Sequence, residues 1–152
     1  MPQLQEVEVD GMTVSDKTLE NIKYDLLTLV NTLMHSSYQF ILLTSVSRKL
    51  KLKGFAWATR KKVKKYTDSV LMVLDWINEN GGFLELADVA VPRFEPSELT
   101  PLFVVTRWDE VEAWVKGNIE SILDKVEKSY YHNKTELISM LNSILNQILS
   151  YS

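Results

Sequence analysis

The stretch Ile77-Asn78-Glu79-Asn80-Gly81-Gly82 is followed by Pro92, Pro96 and Pro101. Before it, apolar residues recur with a helical period. At Asn-Gly-Gly that pattern stops, because a glycine can turn left-handed and close the last turn without a Cβ penalty. The three prolines then forbid an uninterrupted helix through residues 83–100. The helix before this stretch covers residues 55–80, which is about 39 Å at 1.5 Å per residue. A segment of about 16 residues reaches roughly 50 Å when extended. It can therefore run the length of a helical bundle.

Working outward, residues 14–46 read as a first helix, with Ser15 or Thr13 as cap and Asp16 in the first turn. Ile22, Leu26, Leu29, Val30, Leu33, Met34, Ile41 and Leu42 give it one apolar face. Residues 47–53 form a short basic connection ending at Gly54. On a wheel of about 100° per residue, the second helix has Phe55, Thr59, Val63, Tyr66, Val70, Val73, Leu74 and Ile77 on one side. Arg60, Lys61, Lys64 and Lys65 fall on the other. Residues 101–130 read as a third helix, opened by Ser97 as cap with Pro101 in the first turn. Its stripe is Val105, Trp108, Val111, Val115, Ile119, Ile122 and Val126. Residues 134–150 read as a fourth helix, with Leu137, Ile138, Leu141, Ile144, Leu145 and Ile148 apolar.

Short, long and short connections in that order predict an all-α four-helix bundle. It consists of two antiparallel pairs joined by one long crossover between the second and third helices. The domain takes residues 13–152, after a flexible acidic tail at 1–12. No fifth helix is expected.

With 45% apolar residues, the 152-residue chain can build a core. Seventeen basic against twenty acidic residues leave a net charge of -3 and no global pull toward nucleic acid or membrane. The absence of cysteine excludes thiol nucleophiles, iron–sulfur clusters and Cys-ligated zinc. No run of apolar residues is long enough to span a bilayer, and the acidic start at Met1–Asp10 does not read as a signal peptide. A cytoplasmic location is expected.

Gly81-Gly82 followed by Leu86-Ala87-Asp88-Val89-Ala90-Val91-Pro92 resembles the ferritin pattern Asn-x-x-Gly-Gly-x-x-x-Leu-x-Asp-(Ile/Val)-x-x-Pro. Phe55-Ala56 and Ser36-Ser37-Tyr38 are similar to ferritin segments in the second and first helices. The likeness is specific over residues 54–92 and weak in the last two helices. It implies a ferritin-like bundle belonging to a shell of similar subunits, whose active members oxidise iron at a di-iron centre inside the bundle.

That centre needs carboxylates and imidazole facing inward, and its usual Glu-x-x-His occurs nowhere in this chain. At the positions where the resemblance implies ligands stand Leu33, Tyr66, Ser69, Glu112 and Ile144. Only Glu112 is a carboxylate. No catalytic residue and no metal ligand set is therefore expected, and no cofactor inside the bundle. Iron would enter only at the level of the shell. Where non-oxidising ferritin subunits carry a glutamate cluster, this chain has the basic face Arg60, Lys61, Lys62, Lys64 and Lys65. Lys134 and Leu137 stand at the acidic channel positions.

Three readings follow. The first is a ferritin-like subunit without ferroxidase activity, structural in an iron-storage-type shell, homo-oligomeric or mixed with active ferritin subunits. The second is a repurposed scaffold of small oligomeric state with no iron role. The third is a basic-faced cage for nucleic acid or client proteins. The basic run covers less than two turns, so it reads as a solvated face and a nucleic-acid partner is not expected. Tyr66 and one of Trp108 and Trp114 are assigned to the core, and a lone His35 is not assigned as a ligand.

Overall fold

A computed structural model describes residues 7–9, 12–14, 16–82, 93, 95, 99–129 and 134–149. It contains β1 (Val7–Val9), β2 (Met12–Val14), α1 (Asp16–Lys49), α2 (Lys53–Glu79), α3 (Pro101–Glu127) and α4 (Lys134–Leu149). The four expected helices are present, with boundaries shifted by up to three residues. Most of the crossover, the expected cap Ser97 and the turn at 131–133 lie outside the described residues.

The direction of each helix follows from side-chain contacts. Thr44 and Thr59 hydroxyls are 2.8 Å apart, and the Phe40 and Tyr66 rings stack at 5.3 Å, so α1 and α2 run antiparallel. Asp25 pairs with Lys125, His35 meets Trp114, and Gln39 accepts from Arg107, so α1 and α3 are antiparallel too. Hence α2 and α3 are parallel. Two consecutive helices can run parallel only if the chain between them travels from one end of the bundle to the other. Each helix packs on two neighbours in the ring order α1–α2–α4–α3.

The ends of α1 and α2 use one device. Leu52 N–H donates to Ser47 O and Lys51 N–H to Arg48 O, with Lys51 at φ 61°. Gly82 N–H donates to Ile77 O and Gly81 N–H to Asn78 O, with Gly81 at φ 86°. Both are Schellman closures. The connection is therefore shorter than expected, Leu50 to Leu52, and Gly54 is already inside α2. Helix α3 starts on Thr100, whose hydroxyl accepts from Phe103 N–H at 3.1 Å, with Pro101 next, where no N–H is needed.

Burial corrects the helical phases. On α1 the stripe runs Leu33, Ser36, Phe40, Leu43, Val46, and Ile41 faces out. Ser36 and Ser37 hid that phase by being polar on the core side. Ser36 settles there by donating to Thr32 O at 2.8 Å. On α3, Val104 is buried and Val105 exposed. Leu137 is a core residue and lines no surface. The tail is likewise not featureless. Val7 pairs with Val14 and Val9 with Met12, antiparallel. The sequence between the strands is Asp10-Gly11, a strong hairpin dipeptide.

Against the expectation that no run is long enough to span a bilayer, residues 21–49 are long and apolar enough to do so by length and composition, with a mean hydropathy of 1.2 over an 18-residue window. Within the bundle 56% of that window is buried, as in a core helix.

Candidate functional site

The centre of the bundle holds an ion pair. Lys62 lies on the core stripe of α2 with Ala56, Thr59, Tyr66, Ser69, Val70 and Val73, and is 2% exposed. Its spacing of three from Thr59 and four from Tyr66 puts it there. This corrects the basic face. Arg60, Lys61 and Lys64 are exposed and Lys65 half-buried, but Lys62 points inward. Phe55 is partly exposed and Val63 only half-buried, so the inward face is turned from the expected one.

Lys62 Nζ is 3.3 Å from Glu112 Oε2 of α3 and also donates to the carbonyl of Ile148 in α4. The other oxygen of Glu112 accepts from the Trp108 indole N–H. Lys62 Nζ stands 5.7 Å from the centre of the Trp108 ring. Phe40 of α1 meets Trp108 edge-on at 5.2 Å and stacks on Tyr66. All four helices thus contribute to one cluster. Burial holds the Lys62 ammonium below the ordinary lysine range, against the upward pull of Glu112.

The structure buries Leu33, Tyr66, Ser69, Glu112 and Ile144. Ser69 Oγ donates back to Lys65 O at 2.8 Å. Among the described residues, no three of His, Asp and Glu converge. His35 shares a 3.1 Å hydrogen bond with Gln39 and meets the half-exposed Trp114 edge-on at 5.4 Å. Trp108 is the core tryptophan of the two. His132 lies outside the described residues.

The solved structure of a humanized archaeal ferritin is similar to this chain, with a TM-score of 0.68. The fold is ferritin-like. The match covers 86% of this chain and 80% of that one at 22% identity. No protein-family model and no curated protein matches the chain.

Within this ferritin-like frame, the residue that sequence reasoning missed is Lys62 as a core group. Its i+3 and i−4 relation to Thr59 and Tyr66 was the available signal. Four neighbouring basic residues concealed it.

Proposed function

We propose that the chain is a ferritin-like subunit that contributes structure to an oligomeric shell and does not oxidise iron. The supporting observation is the Lys62–Glu112 pair. The one carboxylate among the five ligand positions implied by the ferritin resemblance is already neutralised by an ammonium. A cation held there opposes a ferrous ion, and Leu33 and Ile144 offer no lone pair. The residues present do not fit a pair of irons.

Association is supported by large apolar side chains left on the surface, among them Leu71, Leu102 and Trp114. Such groups are covered when copies meet, either as one chain type or with an active ferritin partner in the cytoplasm.

The test has two arms. Ferrous iron is added anaerobically and then oxygen is admitted. No fast diferric intermediate is expected, and its appearance would sink the non-enzymatic reading. Light scattering on a sizing column gives the mass. A mass near that of a 24-subunit shell supports the structural role. A monomer or dimer that no active ferritin partner rescues overturns it.

A further inference from the structure

We infer that the seam between α1 and α2, at the end where the two helices join, binds a single strand of nucleic acid. The inference goes beyond the shell role and does not rest on it. Nine of the chain's 17 basic residues fall within residues 48–65, a stretch with no acidic residue, and all of them but the buried Lys62 lie outside the core. The other 134 residues carry eight basic and twenty acidic ones, so a stretch of charge +9 stands against a remainder of -12. In sequence the run at 60–65 is short. The fold lengthens it by setting Arg48 of α1 across the seam from Arg60 of α2, with Lys51 and Lys53 lining the same end.

Two grooves meet there and share Arg48 and Arg60 as walls. One, of about 620 Å³, follows the helix seam to Lys64. The other wraps the hairpin end past Lys51, Lys53 and Trp57. From Lys53 to Lys64 the furrow runs about 17 Å at 1.5 Å per residue. Lys64 pairs with Asp68 at 2.9 Å, but no described carboxylate neutralises Arg48, Lys51, Lys53 or Arg60.

Guanidinium groups on facing walls suit phosphate, which they grip through two parallel N–H donors. Trp57 is 63% exposed, with Lys61 Nζ 4.0 Å from its ring centre. A base that stacks on the face Lys61 covers displaces that ammonium toward the adjoining phosphate. A single strand offers unstacked bases that can lie on the exposed Trp57 ring. A duplex keeps its bases stacked inside the helix and presents none to that ring. The concavity also separates this surface from one made to lie on lipid headgroups, which would project its aromatic and basic groups outward.

The experiment is fluorescence polarisation of a labelled oligothymidylate of about 12 nucleotides with the full chain, at salt between about 50 and 200 mM. Binding is expected, with log K falling against log salt by about 0.7 per phosphate contacted, a slope of roughly -2 to -4. The double variant Arg48→Glu/Arg60→Glu should weaken binding at least about tenfold by charge reversal, with its circular dichroism unchanged. Trp57→Ala should weaken it about fivefold or more. Lys116→Glu/Lys128→Glu, at exposed positions on α3 and at its C-terminal cap, should leave it as it is. Absence of binding at the lowest salt overturns the inference, as does binding that survives the Arg48/Arg60 reversal. Polyphosphate competing as well as the oligonucleotide overturns it too. So does tighter binding to phosphatidylserine–phosphatidylcholine vesicles, which would assign the surface to a membrane.

Discussion

The ammonium of Lys62 stands 3.3 Å from a carboxylate oxygen of Glu112, and the two residues sit on diagonally opposed helices. The pair therefore ties one helical hairpin to the other through the middle of the core. Removing one partner leaves the other charged and buried. Lys62→Met should cost about 3–5 kcal/mol, and Glu112→Leu about as much. Lys62→Met/Glu112→Leu together should be neutral or up to about 4 kcal/mol more stable than wild type. Urea unfolding of the four proteins measures the coupling. Additive losses would show that the pair does not act as a unit.

The same lysine fixes a pH dependence. Burial lowers its affinity for protons in the folded state. Between that lowered value and the ordinary lysine value of about 10.4, the unfolded chain binds more protons than the folded one. Stability contributed by this group therefore rises with pH across that window and is flat below it. Subtracting the urea midpoints of Lys62→Met/Glu112→Leu from those of wild type, pH by pH, isolates the effect. A difference that falls with rising pH contradicts it.

Lys51 and Gly81 occupy equivalent left-handed positions at the ends of α1 and α2, but only one is a glycine. Lys51→Gly removes the Cβ strain and should raise stability by about 0.5–1 kcal/mol. Gly81→Ala should lower it by about 1 kcal/mol. A Cβ built at Gly81 would meet nothing nearer than Lys23 Nζ at 3.9 Å, so that loss is conformational and not steric. For a chain this size each change is about 2–4 °C in melting temperature.

Ser47 is fully buried, and its hydroxyl has no hydrogen-bond partner among the described residues. Ser47→Ala removes an unsatisfied group and improves helix propensity. A gain of about 1 kcal/mol is expected in thermal or urea unfolding.

The fold was legible where backbone rules speak through single residues. Gly81 stops α2 as its neighbours in sequence say it must, and the prolines after it mark where helix cannot continue. Thr100 could have been read as the cap of α3, since it directly precedes Pro101, but Ser97 competed for the same role. Phase was harder to read. Ser36, Ser37 and Lys62 are polar residues on the buried stripes, and a hydrophobic pattern cannot register a serine that bonds its own helix or a lysine with a distant partner. Glu112 lies 50 residues from Lys62 in sequence, and nothing local to either residue announces the other. The basic furrow was illegible for a related reason. Its two walls come from different helices, and the hairpin brings them together.

The uneven charge of residues 48–65 has a consequence for how the molecule behaves in a field. A sequence isoelectric point near 5.4 makes it a weak anion at neutral pH. Yet the helical hairpin joining α1 and α2 presents a cationic end to its surroundings. The protein is an electric dipole whose net charge understates its charge. It should be held by a cation exchanger at pH 7, against the sign of its overall charge, because a resin captures the end that faces it.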